Sequence, residues 1–268
     1  MLNSYGYNRK TLEEDQKILE AVKQHHKIVE SHGYMVIMTV LVGSQNYDLD
    51  DENSDIDTFS FIYPHFEELA VGDEMKAGII IAKDGHCNFK DIRAALQLLQ
   101  KTSPNSVEYF TSKYKVYNPV FEPLLREFLN NGCLWDMVHC NYKHMLSAMA
   151  GMAHQLTNRN MPAGKRFAHA LRLDDMLYHF FNSYNAEAIL EMRPGGDRDL
   201  ALIAKRDTDP NNAIHYEREC EEIANKLDNY KDKFKTDEQM ELTQKHGLDL
   251  INQFQLALFK QYLKEIEK

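Results

Sequence analysis

Tyr34–Val42 reads Tyr-Met-Val-Ile-Met-Thr-Val-Leu-Val, Gly43-Ser44 follows at once, and after a polar loop Asn53-Ser54-Asp55-Ile56-Asp57 leads into Thr-Phe-Ser-Phe-Ile-Tyr63. The first run is almost continuously apolar and rich in β-branched residues, the pattern of a strand buried on both faces. The second alternates polar and apolar side chains from Asp55, as a half-buried strand does, and Pro64 stops it. Two strands joined through a Gly-Ser turn and an acidic loop fix the core of a sheet.

Outward from this pair, Thr11 to His32 reads as a helix, opened by a Thr11/Glu14 capping box and closed at Gly33. A third strand is expected within Gly78 to Ala82. Asp84-Gly85 then predicts a hairpin turn into a short extended stretch, His86 to Phe89, before a helix from Asp91 to Lys101. From Ser103 the pattern is helical, with Pro104 and Pro119 near helix starts and Gly132 at a boundary. Trp135 to Asn158 is Met-rich and amphipathic, Ala163 to Asn182 continues it, and Arg193-Pro-Gly-Gly-Asp197 interrupts the chain. No strand of comparable strength is expected after Ser103. The expected fold class is α+β, a sheet-bearing half over residues 1–132 followed by an all-helical half over 133–268.

The chain has 268 residues and 43% hydrophobic content, enough for a core that needs no disulfide or structural metal. Its longest apolar run falls far short of the about 20 residues needed to cross a bilayer, and Met1-Leu2-Asn3-Ser4 carries no signal pattern, so a soluble, cytoplasmic protein is expected. Cys87, Cys133, Cys140 and Cys220 form no C-x-x-C pair, which suits free thiols and argues against zinc. A net charge of −10 argues against a broad footprint on duplex DNA, while leaving room for a local basic patch.

The chemistry resides in the opening stretch. Gly43 lets the backbone approach a phosphate, and Ser44 offers it a hydroxyl and an N–H. Asp55 and Asp57, at i and i+2 of one strand, point to the same face and can share a hard cation such as Mg2+ or Mn2+, while Ile56 faces the core. The alternative is an ordinary solvated acidic cluster of Asp48, Asp50, Asp51, Glu52, Asp55 and Asp57. A calcium loop of the EF-hand type fails: begun at Asp51 it places Ile56 at the glycine position and Ile62 at the glutamate position, and begun at Asp48 it misses both.

With these residues in view, the chain resembles the DNA polymerase beta-like nucleotidyltransferase superfamily, in particular predicted nucleotidyltransferases of bacteria and their phages. Leu41-Val-Gly-Ser-Gln, Ser54-Asp-Ile-Asp, His86-Cys-Asn-Phe-Lys-Asp-Ile-Arg93 and Pro104-Asn-Ser-Val-Glu108 carry the resemblance, with a looser continuation through Met149-Ala-Gly-Met152 and Lys165-Arg-Phe-Ala-His-Ala-Leu-Arg172. It implies a small mixed sheet flanked by helices, two metals, a nucleoside triphosphate donor and a helical domain closing over the nucleotide. The reaction implied is transfer of a nucleoside monophosphate, with ATP as the foremost donor, to a hydroxyl of an RNA or tRNA 3′ end, a small molecule or a protein.

The family pattern also expects a third carboxylate on a later strand, and its alignment places Asn88 there. An amide can coordinate through its carbonyl oxygen but is a negligible base. Three readings stay open: a natural pseudoenzyme, such as a nucleotide-binding or sensing module with weakened turnover; a substitution made deliberately to stall catalysis; or a third acid supplied by Asp84 or Asp91 instead, of which Asp91 better suits a helix cap. Lys165, His169 and Arg172 fall on one helical face, and the resemblance assigns them to the triphosphate. On spacing alone they are a solvated basic stripe, with Arg172 able to answer a helix dipole. Met145, Met149, Met152 and Trp135 read as core, His25, His26 and His139 as packing histidines, and Glu108 as helix structure.

Overall fold

The computed structural model describes residues 10–51, 54–72, 74–157, 160–183, 185–193, 196–233 and 238–268. Glu52 and Asn53 of the acidic loop, Asn158, and Pro194-Gly195 lie outside the described residues.

Helix α1 (Leu12–Ser31) begins with the expected reciprocal cap, the Thr11 side chain accepting from the Glu14 N–H and the Glu14 carboxylate accepting from the Thr11 N–H. It delivers the chain through Gly33, at φ 88, into β1 (Met35–Val42), which is buried on both faces along its middle. β2 (Asp57–Tyr63) pairs antiparallel with β1, and α2 (Phe66–Ala70) leads on to β3 (Ala77–Ile81). β3 turns back antiparallel onto β4 (His86–Asp91), the Asp-Gly hairpin the sequence predicts. β4 runs parallel to β2, so the sheet is mixed, in the order β3-β4-β2-β1-β5. The alternation expected from Asp55 begins as ladder only at Asp57, because the Ile56 N–H is taken by the carbonyl of Asp84 at 2.8 Å.

Helices α3 (Ile92–Lys101) and α4 (Pro104–Thr111) follow, capped by Asp91 and Ser103. β5 (Lys115–Tyr117) then pairs antiparallel with β1. This fifth strand corrects the expectation of helices alone after Ser103. Its three half-buried residues are too few for a period-2 signal, and the ladder to β1 creates it.

The rest is helical: α5 (Glu122–Phe128), α6 (Asn131–Val138), α7 (Tyr142–Thr157), α8 (Ala163–Asn182), α9 (Asp197–Arg206), α10 (Pro210–Lys233) and α11 (Glu238–Ile266). The stretch read as continuous from Trp135 is broken between α6 and α7. There His139 bonds the carbonyls of Trp135 and Phe180, and the Asn141 side chain accepts from the His144 N–H. The expected boundary at 132 falls inside α6, and one apolar core runs from Val40, Phe59 and Phe61 of the sheet to Phe167, Leu227 and Phe254 of the helices. Met145 and Met149 are fully buried in it, with Met152 and Trp135 packed at its edge. The four cysteines are free. Among the described residues no helix is long and apolar enough to cross a membrane.

Candidate active site

At the end of β1 the chain must turn sharply, and Gly43 does so at φ 82, a conformation that strains any residue with a Cβ. The Gly43 carbonyl accepts from the Asn46 N–H at 3.0 Å, setting a 3-10 turn over Ser44–Tyr47. A Cβ on Gly43 would lie only 3.6 Å from Oδ2 of Asp57. The turn and the first residue of β2 are thus side by side, as the sequence motif requires. The Ser44 hydroxyl makes no hydrogen bond among the described residues.

The Gly43 N–H does not point outward. It donates to Oε1 of Glu108 on α4 at 2.7 Å, a carboxylate that is 95% buried in relative terms, being 5% exposed. Burial pushes the Glu108 carboxyl above the ordinary carboxylate range, opposed by the Arg172 guanidinium, the Gly43 N–H and the polar groups of Tyr47 and Asn46. Burial likewise holds the Tyr47 phenol well above its usual value, and the Arg172 guanidinium opposes this. Arg172 stacks over the Tyr47 ring, 4.4 Å to its centre. Of the three residues that the resemblance assigns to the triphosphate, Lys165, His169 and Arg172, it is Arg172 that is brought to the Gly-Ser turn. His169 is half-buried one turn earlier, and Lys165 is exposed near the helix start.

The acidic cluster separates into two sets. Lys10 Nζ lies 3.0 Å from Asp48 and 2.8 Å from Asp50. Lys205 of α9 lies 3.2 Å from Asp51 and donates to the Leu49 carbonyl at 2.8 Å. These acids staple the loop. Asp55, exposed just before β2, and Asp57, its first residue, have no lysine or arginine partner among the described residues. Asp57 instead faces His86 of β4, whose Nδ1 is 2.9 Å from its Oδ1. Ile56 packs inward beside Ile18, Val22 and Leu41, as expected.

Asn88 sits one step along the same face of β4, in register with Phe59, and its amide nitrogen donates to the Thr58 carbonyl at 3.2 Å. Asp91 caps α3, accepting from the Arg93 N–H and pairing with the Arg93 guanidinium. Asp84 lies on the opposite side of the sheet, bonded to Nε2 of His25 at 2.9 Å, while His25 Nδ1 bonds the Thr58 hydroxyl. Among the described residues neither acid shares a hydrogen-bond partner with Asp57. His26 bonds the Thr39 hydroxyl, and with His25 and His139 it fills the packing role expected of it.

Among the described residues no three His, Cys, Asp or Glu side chains are gathered into a preformed metal cage. The donor chemistry fits a cation that arrives with phosphates, since magnesium-type ions are held by one or two carboxylates and by substrate oxygens. Asp55 and Asp57 are the residues that would hold it. Two participants escaped the sequence reading: Glu108, whose role depends on a contact 65 residues away, and His86, whose place is set by the parallel β2–β4 register.

Comparison with curated proteins gives no match. A family model described as RlaP, RNA repair pathway DNA polymerase beta family, matches residues 14–255, which spans the sheet, the Gly-Ser turn, both aspartates and the helices through most of α11, and the chain belongs to that family.

Proposed function

We propose that this chain is a divalent-cation-dependent nucleotidyltransferase that moves a nucleoside monophosphate from a triphosphate, ATP foremost, to a hydroxyl at an RNA end. The observation that carries the reading is the placement of Gly43 against Asp57, with Asp55 and Asp57 lacking a lysine or arginine partner among the described residues while the other described acids of the loop are paired with lysines. The RNA acceptor is supported by the family description.

When bound, the cation, Mg2+ or Mn2+, supplies neutralisation of the triphosphate and Lewis acidity toward the transferred phosphorus. Asp55 and Asp57 would hold it by their carboxylate oxygens. Ser44 offers its hydroxyl to a phosphate oxygen, and Gly43, with no Cβ beside Asp57, leaves the turn close to that carboxylate. Glu108 fixes the turn from beneath, leaving Ser44 rather than the Gly43 N–H as the donor to phosphate. Arg172 brings positive charge from α8 to the same turn, and Lys165 and His169 extend it along that helix face.

A second reading, a nucleotide-sensing module with little turnover, is favoured by one observation: the residues of β4 on the Asp57 face are His86, Asn88 and Lys90, none a carboxylate. The test is transfer of label from each α-labelled triphosphate to an RNA with a free 3′ hydroxyl, with Mg2+ or Mn2+ present. Labelled RNA that disappears in Asp57→Asn supports the enzyme. Tight triphosphate binding without labelled RNA or pyrophosphate, unchanged by Asn88→Asp, supports the sensor.

A further inference from the structure

Asp57 and His86 stand one rung before the Thr58–Cys87 rung of the parallel β2–β4 ladder, so their side chains emerge on one face. Their side chains are 39% and 47% exposed, and an ion pair that open contributes about 0–1 kcal/mol, too little to account for the placement by stability. The 2.9 Å between Nδ1 and Oδ1 is that of a hydrogen bond, and it also sets the two donor atoms at the spacing of neighbouring ligands on one cation. Two donors bound cis to one octahedral cation, each at about 2.1 Å, stand about 3.0 Å apart. Asn88, the other polar side chain near Asp57 on β4, has its amide nitrogen on the Thr58 carbonyl.

We propose that His86 is a nitrogen ligand that shares the Asp57 cation, and that it shifts the site's preference from Mg2+ toward Mn2+ and the later divalent transition metals. The inference rests on the donor-site reading above. Mg2+ is hard, keeps its waters and favours carboxylate oxygen, whereas imidazole suits transition-metal ions. The chain thus differs from an all-carboxylate site in which metals it accepts, and the difference lies in a strand position that the motif Ser54-Asp-Ile-Asp does not contain.

The test uses the whole protein with Mn2+ and inorganic tripolyphosphate, a co-ligand without nitrogen. Pulsed electron spin resonance of the bound Mn2+ is expected to show coupling to one imidazole nitrogen, lost in His86→Asn. Calorimetry is expected to show the ratio of Mn2+ to Mg2+ affinity falling by about 10-fold or more in His86→Asp. His86 is exposed on a strand face, so both variants are expected to fold, which circular dichroism checks. Bound Mn2+ without nitrogen coupling, or coupling that persists in His86→Asn, overturns the role of His86 and leaves the carboxylate site standing. No Mn2+ binding by the unaltered protein overturns this inference and the donor-site reading together.

Discussion

Asp57 combines half exposure with one side-chain hydrogen-bond partner among the described residues, His86, so replacing it tests chemistry with little effect on folding. Metal-assisted charge stabilisation is worth several kcal/mol, so Asp57→Asn is expected to lower nucleotidyl transfer on the order of 10²–10³-fold, with a melting temperature close to that of the unaltered protein. Steady-state rates beside a thermal melt check this; a large loss of stability would place Asp57 in the scaffold instead. Glu108 makes the opposite case. Its carboxyl is raised by burial, so the folded state holds the proton to higher pH than the unfolded chain, whose glutamates titrate near about 4.3. Stability from this group is therefore greatest below the unfolded value and declines as pH rises through the folded one. Glu108→Gln keeps an acceptor for the Gly43 N–H without the ionisation, so the melting temperature of the variant minus that of the unaltered protein is expected to grow from about pH 4 to about pH 8. A difference that shrinks with pH would contradict the buried anion. At this scale the sequence shows what is local. Gly43, Ser44, Asp55 and Asp57 are legible because a turn and an i, i+2 spacing declare them, whereas Glu108 reads as one more helical residue until the fold sets it under Gly43.

Among the elements, the β3–β4 hairpin positions the site from the side. Its Asp84 carbonyl accepts the Ile56 N–H, and a Cβ on Gly85 would come within 2.0 Å of the Ile56 carbonyl oxygen. Gly85→Ala must push the hairpin away from the segment between the two aspartates, and overpacking of this kind costs about 1–3 kcal/mol. Denaturant midpoints are expected to fall accordingly, and activity to fall with them at temperatures where the variant is still folded; an unchanged midpoint would mean that the turn tolerates displacement. The hairpin itself, α1 with its capping box and β1 were readable because turn chemistry, caps and apolar periodicity are properties of short stretches. β5 was not, since Lys115–Tyr117 becomes a strand only through β1. Nor was the break after Val138, which depends on His139 reaching Phe180 on α8.

In the whole molecule, the chain closes on itself. α11 carries Ile251, Phe254, Leu258 and Tyr262, all buried, with Leu248 packed at the edge. The Tyr262 hydroxyl donates to the Pro64 carbonyl at 3.1 Å and its ring lies 4.4 Å from that of Tyr63 at the end of β2. Tyr262→Ala empties a buried aromatic site and is expected to destabilise the molecule by about 3–5 kcal/mol, with the sheet and the helices still unfolding in one transition by near- and far-ultraviolet circular dichroism. Two separated transitions would instead show that the halves fold independently. The partner of α11, the end of a strand some 200 residues earlier, was not legible in the sequence, because no local pattern encodes a contact of that range. Lys205 and Arg172 show the same return, bringing α9 to the acidic loop and α8 to the Gly-Ser turn. On the proposed function, the donor site would draw on both halves around Asp55 and Asp57. Its most direct test is calorimetric titration of the four nucleoside triphosphates, each with Mg2+ or Mn2+, into the protein and into Asp55→Ala/Asp57→Ala. The account predicts saturable binding, strongest for ATP, that is lost in the double variant; binding undiminished by the two substitutions, or none to either protein, would contradict it.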